Sequence, residues 1–296
     1  MKMKKQFSGL FFISLLVFAG WSCTKDQDGN ISQTDIALAK DEAYVDAVYD
    51  ELDNLAMTEV KTLDENGYSE SALKSTFSDV CYTVTVDHPD STTFPKVITI
   101  DFGDGCSTVF NGDTITRSGQ IILTITNRWF VPQAQHVMTF NNFYYNGAKV
   151  EGTRTITNEG LNNKLRLLIS IELENGKITF SNDTFITRNA SHMWEWALHM
   201  NPFNDTIFVT GTASGKNVLG ENYVRTITNP LVMVPCSQTP YRYGIVDGSI
   251  DVQNSVRGNF TIDYSGDGCS HEVIIKKGGN QYNYHFQFRQ RKHRWN

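Results

Sequence analysis

From Asp79 onward the chain is almost unbroken strand text, rich in Thr, Val, Ile, Tyr and Phe and cut by Asn-Gly, Asp-Gly and Gly-Gly pairs. β-Branched and aromatic side chains fit a pleated, half-buried surface, and Gly and Asn tolerate the positive backbone angles of tight turns. The pattern therefore dictates an all-β, antiparallel body. Strands are expected near 80–87, 96–102, 114–127, 135–145, 148–157, 164–173, 177–187, 191–199, 206–213, 221–228, 243–252, 257–264, 271–277 and 281–289. Helical connections are too scarce for a parallel sheet. Asn146-Gly147 and Asn175-Gly176 fall between strand runs and read as hairpin turns of a meander. About 12–14 strands must curl or split to bury one face, giving a sandwich or a half-open barrel.

The N-terminus has a different grammar. Lys2, Lys4 and Lys5 precede an apolar run from Leu10 to Ala19, too short to span a bilayer, and small residues Ala19, Gly20 and Ser22 lead to Cys23. Residues 1–22 resemble a bacterial lipoprotein signal, which implies that Cys23 becomes the lipidated first residue. Residues 23–33 are polar and read as a tether. Within 34–77, Leu38, Val45, Val48, Leu52 and Leu55 repeat at helical spacing, predicting one helix from Thr34 to about Thr58 and then a connection. Thr34 or Asp35 is the expected cap. Asp46, Asp50, Glu51 and Asp53 on the opposite face are expected to be a solvated surface.

Within the β body (78–296), Ile98-Thr99-Ile100-Asp101-Phe102-Gly103-Asp104-Gly105-Cys106-Ser107 returns as Phe260-Thr261-Ile262-Asp263-Tyr264-Ser265-Gly266-Asp267-Gly268-Cys269-Ser270, with one inserted residue. Such an echo suggests two related halves, 78–160 and 205–296. A shorter echo, Arg154-Thr155-Ile156-Thr157-Asn158 against Arg225-Thr226-Ile227-Thr228-Asn229, says less, because Thr-Ile-Thr is ordinary strand text. Setting Cys23 aside leaves Cys81, Cys106, Cys236 and Cys269, an even count suited to an oxidising compartment. Three connectivities are possible. Cys81–Cys106 with Cys236–Cys269 is preferred, because each pair then repeats within one half. A four-cysteine zinc site would need a close cysteine pair that the sequence lacks.

Removing residues 1–22 leaves 23 Lys and Arg against 32 Asp and Glu, a net charge of −9 that disfavours nucleic acid and anionic headgroups. The basic run Arg289, Arg291, Lys292, His293 and Arg294 reads as a solvated strand end and tail. No nucleophile elbow, zincin helix, phosphate loop or dinucleotide fingerprint occurs. His192, Glu195 and His199 would converge on a helix, but the alternation of Trp194, Trp196, Leu198 and Met200 is strand periodicity and points His192 away from the other two. Trp194 and Trp196 are core side chains if packed inward, or a sugar-stacking platform if exposed. Asp101 with Asp104, and Asp263 with Asp267, bring carboxylates together as calcium requires, although Asx turns without an ion satisfy the same sequence. Calcium is the one cofactor these residues suggest.

The signal, the helix and the repeated ITIDFGDGC and FTIDYSGDGC strands together resemble uncharacterised Bacteroidetes cell-envelope lipoproteins. The resemblance implies an exported outer-membrane lipoprotein, facing the periplasm or the cell surface, and carries over no catalytic residue. The expected role is non-enzymatic binding of a glycan or an envelope protein. Two alternatives stand beside it. One is a polysaccharide hydrolase drawing a carboxylate pair from Glu151, Glu172, Glu174, Glu195 and Glu221. The other is a purely structural envelope component.

Overall fold

The computed structural model of the chain describes residues 31–68, 80–110, 113–236, 239–266 and 272–285. The signal, Cys23, most of the tether, Asp267, Cys269 and the basic run near the C-terminus lie outside the described residues. One helix, α1 (Gln33–Glu65), precedes β1 (Thr83–Val86), β2 (Lys96–Asp101), β3 (Cys106–Phe110), β4 (Asp113–Ile125), β5 (Gln135–Tyr145) and β6 (Ala148–Leu161). Then follow β7 (Leu167–Thr179), β8 (Phe185–Ala197), β9 (Thr206–Lys216), β10 (Asn222–Cys236), β11 (Thr239–Asn254), β12 (Gly258–Ser265), β13 (Glu272–Lys277) and β14 (Asn280–His285). Among the described residues no helix is long and apolar enough to cross a membrane.

The helix starts one residue before the expected position and runs seven beyond it. Its cap is Ser32, not Thr34 or Asp35. Ser32 Oγ accepts from Asp35 N at 3.1 Å, while Ser32 N donates to Asp35 Oδ2 at 2.9 Å, a reciprocal box that satisfies two otherwise orphaned amides. Leu38, Val45, Val48 and Leu52 are buried, as their spacing requires, and Leu55 packs against them from the edge.

All fourteen strands join one antiparallel sheet in the order β1-β2-β4-β5-β6-β7-β8-β9-β10-β11-β12-β13-β14, with β3 paired to β4 alone. The terminal strands β1 and β14 do not pair with each other, so the sheet stays open. It curls around α1. Tyr49 meets Phe140 of β5 at 6.3 Å between ring centroids, Lys277 of β13 donates to Asp35 at 2.9 Å, and Lys40 lies 4.4 Å over the Tyr284 ring of β14. This is the half-open barrel, with the helix as its filling. The copies of the long echo fall in β2 and β12, towards opposite edges of the sheet.

The strand expectations need two corrections. Asn175-Gly176 is not a hairpin turn. Residues 167–179 form one strand, and the pair is a bulge between Leu173↔Ala190 and Gly176↔Arg188. Both neighbours keep pairing across it because glycines allow the approach: a Cβ on Gly152 (φ +125°) would sit 2.8 Å from Gly176 Cα. The real turn comes later, where Phe180 N donates to Thr184 O at 2.8 Å and Asp183 takes φ +64°. Second, the short strand β3 is absent from the expectation. It returns antiparallel on β4 and carries Cys106, whose disulfide to Cys81 ties it down. Asn146-Gly147 does turn the chain between β5 and β6, with φ +48° and +79°.

Candidate functional site

The concave face of the sheet carries an arginine on every second strand: Arg117 on β4, Arg154 on β6, Arg188 on β8 and Arg225 on β10. All four are buried. A guanidinium taken out of water must find carboxylates, and the helix supplies them. Glu42, Asp46, Asp50 and Asp53 are spaced by four, four and three residues, which puts them on one stripe of α1. The expected solvated face of the helix is thus in large part an ion-pair seam: the sheet wraps past the apolar stripe and buries Glu42 and Asp53, while Asp46 and Glu51 are half-buried and Asp50 stays exposed as expected.

The pairing is specific. Arg154 grips Asp53 with Nε at 2.9 and 2.8 Å and Nη2 at 2.6 Å, and reaches Asp50 Oδ1 at 3.3 Å. Arg188 donates to Glu42 and Asp46, and its Nε donates to Tyr223 Oη at 3.1 Å. Arg225 Nη1 donates to the other Asp46 oxygen at 2.7 Å. Further along, Arg117 pairs with Glu51, and Tyr82 Oη donates to Glu59 Oε1 at 2.6 Å.

Protonation follows from this pairing. Burial opposes the charge on Asp46, but Arg188 and Arg225 outweigh it and hold the carboxyl at about 2. Asp50 goes the other way. Enclosure pushes it up to about 7, with Asp46 and Asp53 adding repulsion against the pull of Arg154. Burial holds His192 down at about 4, so it is neutral.

Between this seam and strands β6 to β12 lies a cavity of about 100 Å³, lined by Asp46 and Asp50 of the helix and by His192, Trp194, Ile227, Met233, Ile245 and Tyr264 of the sheet. Asp50 and Asp46 line it and keep 50% and 36% of their side-chain surface accessible. The arginines beside them keep 5% for Arg154, 2% for Arg188 and 8% for Arg225. The polar surface open to an occupant is therefore carboxylate and neutral imidazole, not guanidinium.

The residues singled out from sequence are dispersed. Trp194 and Trp196 share the concave face and are half-buried, packed on two core clusters at once; Trp196 Nε1 donates to Asp205 Oδ2 at 3.2 Å. His192 lines the cavity, while Glu195 faces away and accepts from Arg166 at 2.9 Å, and His199 lies past the end of β8. Asp101 forms an Asx turn, accepting from Gly103 N and Gln120 Nε2 at 2.8 Å each; Asp104 is exposed and Asp263 pairs with Lys276. Among the described residues no group of three or more His, Cys, Asp or Glu is placed to hold a metal ion. Cys81–Cys106 is a disulfide, whereas the proposed Cys236–Cys269 pair lies outside the described side chains. Of the glutamates, Glu151 pairs with Lys149, Glu172 accepts from Ser191, Glu174 is exposed, and Glu221 accepts from Asn217, Asn254 and Arg257.

Sequence reasoning missed Glu42 and the four arginines. Two signals carry them: acids at helical period, and arginines 37, 34 and 37 residues apart, two of which open the Arg-Thr-Ile-Thr-Asn echo. No protein-family model matches this chain, and no curated protein or solved structure matches it, so the site is read from its own geometry.

Proposed function

We propose that this chain is an exported, lipid-anchored outer-membrane protein of the Bacteroidetes type, facing the periplasm or the cell surface, that binds a small ligand in the cavity between α1 and the sheet without turning it over. The export half rests on residues 1–22 and Cys23. The binding half rests on one observation: Asp46 and Asp50 keep accessible carboxylate surface and line a cavity whose other lining is largely apolar. At about 100 Å³ the cavity is well below the ~300 Å³ of usual ligand pockets, which favours a compact ligand over a glycan chain. A partner protein would have to use the outer surface, and no ion is required.

The hydrolase reading draws on one feature, a carboxyl pair pushed apart to about 2 and about 7, the arrangement of a base and an acid. Against it, both oxygens of Asp46 already accept from Arg188 and Arg225, and those two positive charges make it a poor base or nucleophile. The test is a thermal-shift screen of the full-length protein in non-ionic detergent against small organic ions, calcium, EDTA and glycans. A ligand selective for the folded state raises the melting temperature. A shift with a small ion that Ala213→Leu, which fills the cavity wall, abolishes supports the reading; turnover of a polysaccharide overturns it. Cys23→Ser should release the protein from the membrane fraction.

A further inference from the structure

The seam behind the cavity has a charge imbalance and the cavity an aromatic wall, and together they define a ligand class. Along that seam four carboxylates, Glu42, Asp46, Asp50 and Asp53, face three guanidiniums, Arg154, Arg188 and Arg225, and of the four only Asp46 and Asp50 line the cavity. Asp50 is the surplus one. Among the described residues it pairs with Arg154 at 3.3 Å, and that arginine is already gripped by Asp53. Trp194 and Tyr264, both half-buried, line the same space, and indole and phenol faces attract cations, methylated ammonium groups above all. A volume of about 100 Å³, some three times the ~30 Å³ share of one liquid water, restricts the guest to a compact molecule.

Resting on the reading of this cavity as the binding site, we propose that it takes a small organic cation of the quaternary-ammonium type, with the ammonium group between Asp50 and the rings of Trp194 and Tyr264. The guest supplies the missing positive charge. Neutral His192 beside it adds no repulsion.

The test is calorimetry on the full-length protein with four probes: choline, its uncharged carbon isostere 3,3-dimethylbutan-1-ol, phosphocholine and butyrate. Choline is expected to bind at least tenfold more tightly than the isostere, and butyrate not at all. Phosphocholine should bind more weakly than choline, because its phosphate meets the carboxylate side; stronger binding would make a lipid headgroup the natural source. Asp50→Asn should lose choline by more than tenfold and leave the isostere unchanged, with Trp194→Leu intermediate. Asp50 is faced by Arg154 and Arg188 from the sheet and by Asp46 and Asp53 from its own helix, so seating a cation there should also release protons below pH 7, read from the buffer dependence of the heat in the parent protein without any variant. If the isostere or butyrate binds as well as choline, the cation assignment falls while the cavity remains a binding site. If no probe binds at millimolar concentration, and Ala213→Leu leaves the small-ion screen unchanged, both fall.

Discussion

The seam between helix and sheet predicts a pattern of stabilities that exposed ion pairs cannot give. Arg154 and Asp53 keep 5% and 9% of their side-chain surface and share bonds of 2.6 to 2.9 Å. Arg154→Met keeps most of the buried stem but strands the Asp53 carboxylate, and breaking a buried pair from one side costs about 3–5 kcal/mol. At ~2–4 °C per kcal/mol for a domain of this size, the melting temperature falls by roughly 6–20 °C. Asp53→Leu strands Arg154 with only the 3.3 Å contact to Asp50 and costs a similar amount. The double variant removes both charges and should return to within ~1 kcal/mol of the parent or exceed it, since an apolar replacement of a buried pair is often neutral or stabilising. Urea unfolding, followed by Trp fluorescence and circular dichroism, reads all four corners of the cycle, with an unchanged slope showing that compactness is preserved. Single losses under ~1 kcal/mol, the range of exposed pairs, would refute the claim that the sheet encloses the acidic stripe. So would a double variant whose loss is the sum of the two.

Three further outcomes are expected. Asp50 sits at about 7 against an ordinary 3.8, so its contribution to stability is present at low pH and lost as pH rises through 7. Burial holds His136 and His192 at about 4, so they act oppositely, losing stability as pH falls from 6.5 to 4. Because Asp50→Asn removes only the first effect, its melting temperature relative to the parent should climb from pH 4 to about 7 and then level off; a flat difference would mean that Asp50 ionises as a solvated acid. Replacing Cys81 and Cys106 by Ala opens a 25-residue loop and should cost about 3.5 kcal/mol in the chain-entropy model, with an unchanged urea midpoint counting against a formed bond. Gly119→Ala puts a Cβ 2.0 Å from Asn142 O at φ +77° and should cost more than ~1 kcal/mol, whereas Gly105→Ala, with open space around it, should be near neutral; equal effects would refute the close β4–β5 approach.

Strand text and turn chemistry made most of the fold legible. The half-open barrel follows from strand count, β5 matches its expected bounds, and Asn146-Gly147 turns the chain where it should. Asn175-Gly176 misled because a bulge and a hairpin use the same residues. Only the partners on either side decide between them, and those are non-local. The site was harder to read for a deeper reason. A polar helix face looks the same in sequence whether water or arginine covers it, so Asp46 and Asp50 carried no local mark of burial. The distinguishing information was spread over Arg117, Arg154, Arg188 and Arg225, one hairpin apart each time, and a period that long is visible only when the strands are already paired. The strand reading of residues 191–199 did place His192 correctly, on the same face as Trp194 and opposite Glu195.

Why the interior is charged at all bears on how the cavity is kept open. Apolar side chains alone could seat α1 in the trough, and such a contact tolerates sliding. The acidic stripe does not by itself prevent a slip of one turn, since Glu42, Asp46 and Asp50 repeat every four residues and would meet the same arginines one step along. What breaks the degeneracy is the pairs outside that repeat: Asp53 on Arg154 and Glu51 on Arg117 in the middle, and Lys277 on Asp35 at 2.9 Å and Tyr82 on Glu59 at 2.6 Å at the two ends. A one-turn shift of about 5.4 Å would break all four at once and strand buried charges. The register of the helix is therefore set along its length, and the stripe is left with one carboxylate more than it has arginines. That surplus is Asp50, and the same geometry that leaves it unmatched holds the space in front of it.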